Sequence, residues 1–178
     1  QAYDNTPAYA YRAFNEAPWY RMYVALSAVY DGIRRMQQGD DLGGPGTARY
    51  ARAMAFAKYA QGLAHGWLAL MFDRAFILDE TVALDEEIPL RPYGEVMATA
   101  IQELEAAIAI ADADTFTLPD TWINGGFYSS ELLSQLAHSH IARMMTQVAR
   151  TPEERAAVDW GTVLDHVQKG IQHTPVVI

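Results

Sequence analysis

RAMAFAKYAQGLAHGWLALMFD, residues Arg52 to Asp73, is the run that decides the fold. After Lys58 no charge appears until Asp73, an uncharged stretch of about 14 residues. Ala55, Ala57, Ala60, Gly62, Ala64, Gly66 and Ala69 cover much of its surface, and large apolar or aromatic groups fill the remainder. A helix that is apolar nearly all round belongs among other helices, where small side chains let neighbouring backbones come close. The stretch is shorter than the roughly 20 residues needed to cross a bilayer. It reads as the central helix of a packed helical array.

Upstream, Trp19, Met22, Tyr23, Leu26, Val29, Tyr30, Ile33 and Met36 recur at spacings of three and four, which predicts a helix from about Pro18 to Gln38. The glycine-rich segment from Gly39 to Gly46 cannot continue it, and Thr47 is placed to cap the next helix. The first two helices are thus expected to form an antiparallel hairpin. Arg74 to Leu90 lacks helical periodicity and reads as a long acidic connection, with Ala75 to Leu78 as a short extended piece.

Pro92 suits the first position of a third helix, whose apolar stripe is Met97, Ile101, Leu104, Ile108 and Ala111 and whose polar face is Glu95, Gln102, Glu103 and Glu105. A loop from Asp112 to Tyr128 follows, and Ser129 or Ser130 can cap a fourth helix with the stripe Leu133, Leu136, His140, Ile141, Met144 and Val148. Thr151, Pro152 and Glu154 spell a capping box that opens a short turn, and Asp159 can cap a last helix that fades near Gly170.

Helix pairs with short or irregular joints predict an all-α fold of antiparallel pairs, a tetratricopeptide-like (TPR-like) α-solenoid. The 34-residue signature of that repeat is not visible, so any repeats are degenerate. Residues 1–178 are expected to form a single helical-repeat domain, and the start at Gln1 and the apolar end from Pro175 to Ile178 lead to the expectation that it is part of a longer polypeptide. With 22 acidic against 13 basic side chains and a net charge of −9, nucleic acid is not an expected partner. The absence of cysteine excludes disulfides, thiolate nucleophiles and Cys-bound zinc.

Among the five histidines, His138 and His140 point some 200° apart on a helix and cannot share an ion, while His166 and His173 share a face without a third ligand. No metal or cofactor is expected. His65, inside the apolar run, reads as a hydrogen-bonded core histidine. Asp73, Asp79, Glu80, Asp85, Glu86 and Glu87 read as a solvated acidic loop rather than a catalytic carboxylate pair, and Asp40 with Asp41 lacks the spacing of a calcium loop. No nucleophile elbow, phosphate loop or nucleotide fingerprint is present, so a non-catalytic protein is expected. Trp122, Asn124 and Tyr128, in and beside the loop from Leu118 to Gly126, are the candidate ligand-binding residues, since sugar rings stack on aromatics and bond to amides. Their structural alternative is a tryptophan filling the gap between the third and fourth helices.

Ala51 to Phe56, then Leu70 to Asp73, then Pro89 to Tyr93 with Val96, Ile101, Leu104, Ala107 and Ile108 form an ordered pattern. Leu136 and Ala137 with Ile141 to Arg143, and Asp159 and Trp160 with Val163 and Val167, continue it. This pattern resembles the SusD/RagB family of outer-membrane nutrient-binding proteins. The resemblance implies a cell-surface, outer-membrane protein built on degenerate TPR-like helix pairs, which captures glycans or peptides and lids a TonB-dependent transporter. The chain departs from that family in being shorter, in lacking the lipid-bearing cysteine and in placing Asp73 where glycine is common. The alternative expectation is a structural helical-repeat protein that self-assembles or scaffolds a surface complex or filament, motivated by Tyr3, Tyr9, Tyr11, Phe14 and the apolar ends.

Overall fold

The computed structural model describes residues 6, 8–39, 44–83, 85 and 87–172. Asp40, Asp41, Tyr3, Glu86, His173 and the 175–178 run lie outside the described residues. The chain is predominantly helical: α1 (Arg12–Gln37) and α2 (Ala48–Met71) are followed by a two-stranded ribbon, β1 (Arg74–Phe76) and β2 (Leu90–Pro92). Then come α3 (Tyr93–Ala113), a second ribbon of β3 (Thr117–Leu118) and β4 (Tyr128–Ser129), α4 (Ser130–Gln147), α5 (Pro152–Ala156) and α6 (Trp160–Lys169).

The second helix occupies the centre, as its composition predicts. It packs against α1, α3 and α4, while α4 also carries α6. Trp19 near the start of α1 meets Phe72 just past the end of α2, and Ile33 and Met36 pack with Met54 and Ala57 near its start, so the pair is antiparallel. Two glycines set its distances. A Cβ at Gly62 would lie 2.7 Å from Leu104 Cγ and 2.8 Å from the Ala100 carbonyl oxygen of α3, and one at Gly66 would collide with Met144 Cε of α4. Leu26, Leu68, Val96, Leu104, Leu133 and Ile141 fill the core among these helices.

Local capping follows the sequence closely. Thr47 Oγ1 accepts the Tyr50 N–H, Ser129 Oγ accepts the Leu132 N–H, Thr151 and Glu154 form the reciprocal box, and Asp159 accepts the Gly161 and Thr162 N–H groups. Other boundaries differ. The first helix begins at Arg12 and runs through Pro18. That proline removes one backbone bond, to the carbonyl of Phe14, on a turn whose side chain is 74% exposed and whose carbonyl water can solvate. Pro92 is not the first helical residue but the cap before it, with extended ψ of 149°, because it still belongs to β2.

The connection after α2 is closed at its base by the pairing of Arg74 with Pro92 and Phe76 with Leu90. The loop after α3 is closed in the same way by Thr117 with Ser129 and Leu118 with Tyr128. Strands of two or three residues have no periodicity to read, so only the first strand of the first ribbon overlaps an expected extended piece, while β2 and both strands of the second ribbon escape sequence patterning. Among the described residues no helix is long and apolar enough to cross a membrane.

Candidate functional site

Leu118 is fully buried and anchors the start of the aromatic loop, and the Phe116 carbonyl, just before β3, accepts the Ser130 N–H. Within the loop the Pro119 carbonyl accepts the Trp122 N–H at 3.0 Å and the Ile123 carbonyl accepts the Gly126 N–H at 2.9 Å, giving two successive turns. The second requires left-handed backbone at Asn124 (φ 44°) and Gly125 (φ 74°). Asparagine is among the few residues besides glycine that adopt it readily.

Trp122 does not plug the gap between α3 and α4. Its ring lies 4.9 Å from that of Phe56 on α2, tilted by 36°, and the Arg52 guanidinium sits 5.7 Å from its centroid. Arg52 is itself fixed by donating to the Thr117 carbonyl. The indole is therefore held from behind and remains 36% exposed. Phe127, which no sequence pattern singles out, is 73% exposed in the same loop. Tyr128 is half-buried against the core, and Asn124 stands exposed at the turn. Trp122, Asn124 and Phe127 are thus exposed positions of one loop, while Tyr128 packs against the core.

The acidic connection is not a uniformly solvated loop. Glu80 lies with its side chain 14% exposed, 2.6 Å from Lys58 Nζ, and accepts from Gln61 Nε2 at 3.3 Å. The cause is local: Lys58 and Gln61 are one turn apart on α2, and each needs an acceptor where the helix enters the core. Asp79 turns back to accept from Thr81 N–H, whereas Asp85 and Glu87 are exposed. From α1, Tyr23 and Tyr30 hold the same connection through the Phe76 and Val82 carbonyls. Burial pushes the Tyr23 phenol up to about 12, so it stays a donor at neutral pH.

Glu103 corrects the polar face assigned to the third helix. It is 5% exposed, and its Oε2 lies 2.7 Å from Nδ1 of the fully buried His65. The Leu78 N–H donates to His65 Nε2 at 3.1 Å, which leaves Nδ1 to carry the ring proton and give it to Glu103. Both nitrogens are committed, so His65 is a structural link between α2, α3 and the connection and has no lone pair free for a substrate. Burial pushes the Glu103 carboxyl up, opposed by the His65 hydrogen bond, and its Oε1 is buried without a partner. Lys58, Asp79, Glu80, Thr81, Thr99 and Glu103 contribute to the wall of a polar cavity of about 190 Å³ beside this pair.

Arg150 carries a joint that no local sequence pattern marks. Its guanidinium donates to the Ala69 and Phe72 carbonyls at 2.8 and 2.9 Å, pairs with Asp73 at 2.5 Å and covers the Tyr93 ring at 3.9 Å. The C-terminal turn of α2 has no basic residue of its own. A cation from 81 positions away supplies the charge that the helix dipole favours there. Glu154 completes the joint by accepting from the Tyr93 hydroxyl and from the Arg150 and Thr151 N–H groups, and the Tyr93 bond holds its carboxyl below the usual range.

His138 and His140 diverge as helix geometry requires. His140 packs 5.8 Å from Tyr59, whereas His138 turns to His166 of α6, with Nδ1 atoms 2.8 Å apart. Among the described residues no three His, Asp or Glu side chains form a group that could hold a metal ion. No family model, curated protein or solved structure matches this chain.

Proposed function

We propose that this chain is the helical part of a SusD-like, non-catalytic surface protein that captures glycans or peptides for import with a TonB-dependent transporter. The observation that carries the proposal is the indole of Trp122, backed by Phe56 and Arg52 and 36% exposed, in the same loop as exposed Phe127 and Asn124. An aromatic face fixed before a ligand arrives loses little entropy on binding, and amide groups at its rim supply direction. The ordered motifs add support. Ala51 to Phe56 and Leu70 to Asp73 bracket the two ends of the central helix, Pro89 to Tyr93 leads into α3, Leu136 to Arg143 lies within α4, and Asp159 opens α6. Consecutive antiparallel helices around small-residue contacts are also what a degenerate TPR-like array would use.

The test combines glycan-array and calorimetric binding by the chain with co-purification of a TonB-dependent barrel by the full-length protein. Binding lost in Trp122→Ala, together with barrel capture, is the expected result. Failure of both overturns the proposal.

A second reading, assembly with copies of itself or a larger scaffold, has its own support. Tyr20 and Val24 are 62% and 70% exposed one turn apart on α1, and Trp160, Leu164 and Val167 are 59%, 56% and 51% exposed along α6. Exposed apolar side chains grouped along one helix are where a partner would pack if they form a contiguous patch. Light scattering that shows only monomers at high concentration counts against it.

A further inference from the structure

The helix α6 is ten residues long and buries only Val163 and His166, while Trp160, Leu164 and Val167 face outward. It packs on α4, and its described polar ties to that helix are two: the Ile171 N–H, just past its end, donates to Ser139 Oγ at 3.0 Å, and His166 meets His138. The histidine contact sets the chemistry. Two Nδ1 atoms 2.8 Å apart require one N–H and one lone pair between them. Two neutral rings satisfy that if one carries its proton on Nδ1 and the other on Nε2. One added proton is also tolerated, because an imidazolium can donate to a neutral ring. With both rings protonated, two hydrogens would face each other less than about 1 Å apart, and two like charges would meet inside the interface.

We propose that the His138–His166 contact is an acid-release latch, which keeps α6 docked on α4 while at least one ring is neutral and frees it when both become imidazolium. The charges that face the pair do not cancel this effect. On α6, Asp165 and Lys169 bond to each other at 2.8 Å and largely offset one another. From α3, Asp112 attracts the charged His138 and Glu105 attracts the charged His166, but both carboxylates are exposed and screened. Burial is the larger influence and holds both rings below the ordinary histidine range, with His166 adding to the effect on His138. The sign follows: the unfolded chain binds protons more readily at these sites, so the docked state is fully favoured above the unfolded histidine value of about 6.5 and loses ground as pH falls below it.

The experiment follows histidine ring resonances and amide exchange in the same isotopically labelled chain from about pH 7.5 to about pH 4.5, with exchange corrected for its intrinsic pH dependence. Protection of residues 163–171 is expected to drop at least tenfold as the second ring of the pair titrates, while protection in α2 stays unchanged. His138→Phe, which keeps an aromatic ring and cannot gain a proton, is expected to abolish the pH response of α6. His140→Phe, two positions from His138 on α4 and outside the pair, is expected to retain it. Full protection of α6 with both rings protonated overturns the latch, as does an unaltered response in His138→Phe. Should circular dichroism show that His138→Phe is unfolded, the wild-type titration decides alone.

Discussion

Glu103 Oε2 and His65 Nδ1 meet at 2.7 Å between the second and third helices, and the other His65 nitrogen accepts the Leu78 N–H. Because Nε2 must stay an acceptor, Nδ1 always carries a proton that needs a partner. Glu103→Leu is expected to cost about 1 to 3 kcal/mol by stranding that buried donor. Glu103→Gln keeps an acceptor without the buried charge and should stay within about 1 kcal/mol of the parent at neutral pH. Urea denaturation separates the two, and equal stability of both variants would refute the role given to Glu103.

The same carboxyl predicts a pH slope. Burial raises its folded value, so the folded chain takes up this proton more readily than the unfolded one. The resulting stabilisation is full below the unfolded carboxylate value of about 4.5 and is lost as pH rises through the raised folded value. Glu103→Gln removes that loss. Its stability relative to the parent is therefore expected to climb from acid towards neutral pH, the range over which the histidine pair acts in the opposite direction. A pH-independent difference between the two proteins would contradict the assignment.

Arg150 closes the far end of the central helix through the Ala69 and Phe72 carbonyls and the Tyr93 ring. Arg150→Met loses the charged donors and the ring contact and is expected to lower stability by about 2 to 3 kcal/mol. Arg150→Lys restores a charge but not the planar fork, so it should recover less than half of that loss. Thermal melts of the three proteins test the order.

How much of this was legible in the chain depends on distance along it. Thr47, Ser129, Thr151 and Asp159 act on N–H groups two or three residues away, and the capping chemistry is written in the local sequence. The glycines of α2 announced close packing, and the structure puts Gly62 against α3 and Gly66 against α4. Residue type alone places Glu103 on the polar face. Its spacing told otherwise, since Val96, Ala100, Glu103 and Ala107 fall at steps of four, three and four and are all buried. Arg150 and Asp73 are 77 positions apart, and the ring partners His138 and His166 are 28 apart. No local pattern encodes such meetings, so these joints become visible only in three dimensions. For the aromatic loop, the residue types drew notice to Trp122, while its support by Phe56 and Arg52 and the exposure of Phe127 depended on the fold.

Gly62 and Gly66 differ in what an added methyl would strike. At Gly62 it meets the Leu104 branch carbon and a backbone carbonyl, neither of which can easily retreat, whereas at Gly66 it meets the flexible end of Met144. Alanine recovers about 1 kcal/mol of helix propensity at either site. Overpacking of about 1 to 3 kcal/mol should exceed that gain at Gly62 and roughly match it at Gly66. Gly62→Ala is therefore expected to be clearly less stable than Gly66→Ala in chemical denaturation, and the reverse order would show that α2 and α3 can slide apart.

The aromatic loop separates support from recognition. Trp122→Ala removes a ring packed on Phe56 and leaves Arg52, among the described residues, with the Thr117 carbonyl, so it should cost about 1 to 2 kcal/mol of stability as well as any sugar binding. Phe127 is 73% exposed, so Phe127→Ala should leave stability within about 0.5 kcal/mol. If the outer side of the loop stacks on sugar rings, Phe127→Ala weakens glycan binding by about tenfold with no change in melting temperature, a separation that a purely structural loop cannot produce. Calorimetric titration alongside thermal melts reads both quantities. Unchanged affinity in both variants would remove this loop from the binding surface and leave the exposed faces of α1 and α6 as the surfaces to probe.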